Sequence, residues 1–156
     1  MDRISSFTVD HLKLNEGIYV SRVDGDIITY DLRFCKPYSG SLLTNEQLHT
    51  LEHLLATIFR NDLRFSKNIV YFGPMGCQTG FYLLIDMSIG DITHSDTIKM
   101  IMCALEKVIN WKEEVPGNSQ IECGNINTLN LEEAKKAAQI YYDKLLKIKD
   151  LENMKY

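Results

Sequence analysis

The hydrophobic positions fall into two spacings along the chain. Leu48, Leu51, Leu54, Leu55, Ile58 and Phe59 recur at helical intervals. Thr44-Asn45-Glu46-Gln47 precedes them and has the form of a capping box, with Thr44 as N-cap and Gln47 at the third helical position. A second helix is predicted from about Asp96 to Trp111, with Ile98, Ile101, Met102, Leu105, Val108 and Ile109 as its stripe, and Pro116-Gly117 closing the segment. A third starts at Asn130, with Glu133 three residues on. Its apolar face is Ala134, Ala137, Ala138, Tyr141, Leu145 and Ile148. Its charges are mixed in sign, as on a solvated face.

Four segments read as strands instead. Gly17–Val23 and Ile27–Phe34 flank Asp24-Gly25-Asp26, a hairpin signal. Asn68–Phe72 and Gly80–Ser88 flank a loop rich in glycine, Gly73 to Thr79. The order ββαββαα predicts an α+β fold: a single domain over residues 1–156, with a largely antiparallel sheet and helices packed on one face.

Composition narrows the function only by exclusion. The 156 residues are 45% hydrophobic and 24% charged, which suits one compact globular domain. No apolar run approaches the ~18 residues a membrane span needs. The start, MDRISSFTVDH, has no apolar core of a signal peptide, so a cytoplasmic location is expected. A net charge of −4 with scattered Lys and Arg argues against nucleic acid as a partner. In a cytoplasmic chain the four cysteines are expected as free thiols. No linker, repeat or low-complexity stretch divides the chain.

Within the first helix lies His49-Thr50-Leu51-Glu52-His53. At 100° per residue, His49, Glu52 and His53 share about 100° of arc. Two imidazoles one turn apart can grip a divalent metal, with a carboxylate beside it for acid/base work. A third ligand is needed, and the candidates are His11, His94 and the cysteines. Cys123 sits in a loop just before the last helix, where it can reach another element. A His₂Cys set with an open fourth position has the form of a catalytic site. Cys77, between Gly76 and Gly80, is placed where a thiol can be accessible and the backbone can approach a ligand. Cys35 and Cys103 have apolar neighbours and read as core residues. His94 has no evident task.

The H-x-x-E-H spacing fits three functions. One is an inverted-zincin-type metallopeptidase, in which Glu52 would activate water and a downstream carboxylate such as Glu122 would complete the ligand set. Another is a structural metal module, closed by a fourth ligand such as His11 or His94. The third rests on a resemblance. His49 to His53, then Pro74-Met75-Gly76-Cys77-Gln78-Thr79-Gly80-Phe81-Tyr82, then Cys123-Gly124, then Leu131-Glu132-Glu133-Ala134-Lys135, resemble the LuxS family of S-ribosylhomocysteine lyases. Ser6, Phe7, Asp10 and His11, and the stretch from Tyr30 to Pro37, also match. The resemblance runs from about Ser6 to Lys135 in the family's order and spacing.

The resemblance implies His49, His53 and Cys123 as metal ligands, and one divalent ion per subunit: Fe²⁺, with Zn²⁺ or Co²⁺ able to substitute. It implies Glu52 and Cys77 as catalytic acid/base groups, and Ser6, His11 and Arg33 as substrate-binding residues. Arg33 would pair with the carboxylate of the homocysteine moiety. It also implies a homodimer with sites at the interface, into which Ser6 and His11 of the partner would reach. The implied reaction is thioether cleavage of S-ribosylhomocysteine to homocysteine and 4,5-dihydroxy-2,3-pentanedione, the precursor of autoinducer-2. This chain departs from the family's usual D-I-S-P-M-G-C: Tyr71 stands where an acidic substrate contact is usual, and Gly73 where serine is. It also has Asn127 to Asn130 in a stretch where the family often has a histidine.

Overall fold

The computed structural model describes residues 9–156. Strands β1 (Gly17–Asp24), β2 (Ile27–Arg33), β3 (Ile69–Pro74) and β4 (Gly80–Asp86) alternate with helices α1 (Asn45–Arg60), α2 (His94–Ile109) and α3 (Leu131–Leu145) in the order ββαββαα. The sheet order is β1-β2-β4-β3, with every neighbouring pair antiparallel. The α+β single domain expected from the pattern is the fold found.

Side-chain alternation on the strands decides where the core sits. On β2 and β4, Tyr30, Leu32, Phe81, Leu83 and Ile85 are fully buried and share a face, because Tyr30 lies opposite Leu83 and Leu32 opposite Phe81. Against them pack Leu51, Leu54, Leu55 and Phe59 of α1, Ile101 and Leu105 of α2, and Ala134, Ala138 and Tyr141 of α3. The alanines let α3 approach closely. Tyr141 then stacks on Phe34 at 3.8 Å between centroids and donates a hydrogen bond to the Gly17 carbonyl at 2.7 Å. The other sheet face carries Tyr19, Asp31, Arg33 and Tyr82.

The helix starts follow from capping. The Gln47 amide donates to the Thr44 hydroxyl at 3.2 Å, and the Thr44 amide donates to the Gln47 side chain at 3.0 Å. The second helix begins earlier than its apolar stripe predicts, at His94. Thr93 and Asp96 form a reciprocal capping box there, with an aspartate in the role that glutamate or glutamine more often fills. It ends at Ile109 rather than Trp111, and α3 ends at Leu145, with Ile148 in the turn beyond.

Two cysteine assignments change. Cys103 is exposed, not core. Its sequence neighbours are apolar, but it falls off the Ile98–Ile101–Leu105–Val108 stripe, and helical geometry counts faces rather than neighbours. Cys35 lies just past the end of β2, half-buried against the core, and its burial pushes the thiol pKa up. All four cysteines are free thiols. His94 acquires a task. Its Nε2–H donates to the Glu152 carbonyl at 2.7 Å, so Nδ1 accepts from the buried Tyr30 hydroxyl at 3.0 Å. This tethers the C-terminal segment, whose last residue, Tyr156, stacks on Tyr19 at 5.1 Å.

Candidate metal centre and active site

Helix α1 presents His49 and His53 one turn apart, their rings 4.6 Å between centroids and nearly perpendicular. The loop before α3 brings in Cys123, whose Sγ lies 3.3 Å from His49 Nε2. One ligand atom from each of the three falls within 4.8 Å of the others, and all three residues are half-buried. Atoms so spaced can each reach one ion at the ~2.0–2.3 Å typical of imidazole and thiolate ligands, so the donor set fits a divalent metal.

Backbone and side-chain acceptors fix the histidines. His53 Nδ1 is 2.7 Å from the Pro116 carbonyl. A carbonyl only accepts, so Nδ1 carries the proton and Nε2 keeps its lone pair for a ligand. Gly117 follows at φ +73°, and a Cβ there would come within 3.0 Å of His53 Nδ1. Pro116-Gly117, which the sequence marks as the close of the second helical segment, therefore also seats an imidazole of the candidate metal set. His49 Nδ1 lies 2.7 Å from Thr128 Oγ1. Partial burial, and after it the neighbouring His53, lowers the His49 pKa, with Glu52 pulling the other way. Glu52 is half-buried on the same helix face.

Cys77 occupies the exposed turn between β3 and β4. The turn closes through Met75 N–H to the Gly80 carbonyl at 2.9 Å and Gln78 N–H to the Met75 carbonyl at 3.0 Å, with Gln78 at φ +60°. Gln78 ties the turn to the start of α1: its side chain donates to Asn45 at 3.0 Å, and its carbonyl accepts from the Leu43 amide at 3.0 Å. The Cys77 Sγ sits 3.0 Å from Thr79 Oγ1 and 4.0 Å from Arg33 Nη1.

Arg33 is 2% exposed. Nη2 pairs with the fully buried Asp31, and Nη1 donates to Thr79 Oγ1 at 2.5 Å. Burial works against the guanidinium charge, but the Asp31 carboxylate outweighs it and raises the Arg33 pKa. Asp31 also accepts from the Tyr156 hydroxyl at 2.7 Å. The guanidinium thus meets Asp31, Thr79 and Cys77 in this structure. Asp31 and Thr79 are site residues that motif reading missed. Asp31 was within reach of it, because i and i+2 on a strand share a face.

A cavity of about 700 Å³ opens beside Cys77, lined by His11, Pro37, Tyr38, Gly40, Leu42, Thr79 and Tyr82. Its size suits a small-molecule ligand. His11 is half-buried and lines the cavity of its own chain; its Nδ1 lies 2.9 Å from the Val9 carbonyl. Ser6 lies outside the described residues. Tyr71 is half-exposed, with its hydroxyl folded over Gly73 where a side chain would stand.

These features go with the carbon–sulfur lyases that the chain resembles in sequence. Residues 4–152 match the family model described as S-Ribosylhomocysteinase (LuxS). The chain is 44% identical to the S-ribosylhomocysteine lyase of Borreliella burgdorferi (strain ZS7), over 100% of this chain and 99% of the relative. It is 42% identical to that of Clostridium acetobutylicum over 84% of each chain, and 41% identical to that of Desulfotalea psychrophila over 94% and 92%. The chain belongs to the LuxS family. No described helix is long and apolar enough to cross a membrane.

Proposed function

We infer that this chain is an S-ribosylhomocysteine lyase. The observation that carries this reading is the joint presence of a His49–His53–Cys123 ligand set and a cavity at Cys77, in a chain whose relatives bear that activity in their names. His49, His53 and Cys123 would hold one divalent ion. When bound, the metal supplies Lewis acidity at a sugar oxygen and stabilises negative charge there without a redox change. Nitrogen and sulfur donors suit Fe²⁺, Zn²⁺ and Co²⁺, and we propose Fe²⁺ as the working ion.

The chain's own groups do the proton work. The open-chain sugar carries a carbonyl next to a C–H bond. Cys77 and Glu52 move protons between adjacent carbons and oxygens, each relay typically contributing about 10²–10⁴-fold. Two such transfers carry the carbonyl from C1 to C3. Removal of the C4 proton then expels the homocysteine thiolate from C5, and the enol left behind tautomerises to 4,5-dihydroxy-2,3-pentanedione. The Arg33 guanidinium lies beside Cys77, its Nη1 4.0 Å from the sulfur. The same guanidinium is proposed to meet the substrate carboxylate, while Asp31 holds its other edge. His11 is assigned to the substrate through the cavity it lines. Ser6 is assigned on the family resemblance, as are the homodimer with sites at its interface and the cytoplasmic setting, which suits free thiols.

The relatives favour this reading over a peptidase. A closed structural site needs a fourth protein ligand, and among the described residues the candidate group has three. The test is homocysteine release from S-ribosylhomocysteine, followed with a thiol reagent, with peptide hydrolysis as the opposing assay.

A further inference from the structure

The two ligands His49 and Cys123 are joined by a closed ring of polar contacts through the 125–128 turn. His49 Nδ1 is 2.7 Å from Thr128 Oγ1, which is 3.3 Å from the Asn125 carbonyl oxygen. The Asn125 amide is 3.4 Å from Cys123 Sγ, which is 3.3 Å from His49 Nε2. Counting protons gives the ring a direction. The Asn125 carbonyl can only accept, so the Thr128 hydroxyl donates its single proton there. Its oxygen is then left to accept, so the proton on His49 sits on Nδ1. The Nε2 lone pair therefore faces the sulfur of Cys123, where an ion would be shared. The Asn125 N–H points at the same sulfur.

The turn that carries Thr128 is itself pinned to α1. The Leu129 amide closes it on the Ile126 carbonyl at 3.1 Å. One residue further, the Asn130 amide donates to Thr50 Oγ1 at 2.8 Å, and Thr50 is fully buried next to His49 in sequence. His53 obtains the same service from a backbone carbonyl, which no substitution can remove directly. For His49 the service comes from a side chain.

We propose that Thr128 is a positioning residue of the metal centre: its hydroxyl sets the tautomer and ring orientation of His49 and, through Asn125, couples that imidazole to Cys123. This rests on the reading of His49, His53 and Cys123 as the metal set.

The test uses full-length protein stripped of metal and reloaded with Co²⁺. Affinity is read by chelator competition, and geometry by the visible and thiolate-to-metal absorption bands. Thr128→Val keeps the shape and removes the hydroxyl; Thr128→Ala does so without the branched side chain; Thr128→Ser keeps the hydroxyl. Expected is a Co²⁺ affinity loss of about 10–100-fold in both hydroxyl-free variants, with altered absorption bands, and near wild-type behaviour in Thr128→Ser. Wild-type affinity and spectrum in Thr128→Val and Thr128→Ala would overturn the proposal, as would a Thr128→Ser variant as weak as they are. Failure of the unmodified protein to bind Co²⁺ would instead overturn the metal-set reading beneath it.

Discussion

Arg33, at the end of β2, holds its Nη1 4.0 Å from the Cys77 sulfur while Asp31 holds its Nη2. The strand carrying Arg33 and the turn carrying Cys77 are adjacent because β2 pairs with β4, with Arg33 directly opposite Gly80. A buried cation whose counter-charge is also buried is costly to expose alone. Asp31→Asn leaves Arg33 with an uncompensated charge and is predicted to destabilise the protein by about 3 kcal/mol, the usual scale for breaking a buried pair from one side. Urea denaturation checks this, and a change below 1 kcal/mol, the scale of an exposed pair, would show that the pair is solvated.

Cys77→Ala is predicted to keep its metal and its fold and to lose homocysteine release by at least about 10²-fold, the scale of one acid/base group. The turn is closed by backbone bonds of Met75 and Gln78, and the exposed thiol contributes little to packing. Metal analysis and a thiol assay on the same sample check both halves.

Tyr156 supplies the pH-dependent prediction. Its hydroxyl donates to Asp31, and burial, then the Asp31 charge, raises its pKa. A raised folded-state pKa means the folded chain holds this proton more tightly. The stability Tyr156 contributes is full below the ordinary tyrosine value of ~10 and is lost as pH rises through the higher folded-state value. Tyr156→Phe should cost about 1 kcal/mol at neutral pH, the net worth of one hydrogen bond at a half-exposed side chain. It should also remove part of the loss of stability at alkaline pH. An alkaline melting curve with the same slope in both proteins would contradict this.

Tyr71 and Gly73 are predicted to be coupled. A Cβ at position 73 meets the Tyr71 hydroxyl. Gly73→Ala therefore displaces the half-exposed Tyr71 side chain in the wild-type background and has nothing to displace in Tyr71→Ala. A double-mutant cycle on KM for S-ribosylhomocysteine should be non-additive, and additivity would place Tyr71 away from the substrate.

What was legible in the sequence was local. His49 and His53 are four residues apart on a helix whose capping box and apolar stripe are both written in the chain, so their shared face could be derived. Cys123 could be named as a loop candidate only, because no periodicity ties it to α1. The groups that orient the histidines were illegible for the same reason: Pro116 and Thr128 meet rings 63 and 79 residues away in sequence. The misjudged Cys103 and the early start of α2 share one cause. Apolar neighbours in sequence mark Cys103 as core where helix face exposes it, and mark a later start for α2 where cap chemistry sets an earlier one. His94 is legible in the sequence only as a possible metal ligand, because its actual partners, Tyr30 and Glu152, lie far from it along the chain.

If His49, His53 and Cys123 hold the ion on which thioether cleavage depends, metal content and free thiol rise and fall together. Both are measured on protein loaded anaerobically with Fe²⁺ and given S-ribosylhomocysteine. The unmodified chain should hold one ion per subunit and release homocysteine, and Cys123→Ala should lose both. Stoichiometric metal in Cys123→Ala, or thiol release by the stripped protein at the rate of the loaded one, would contradict it.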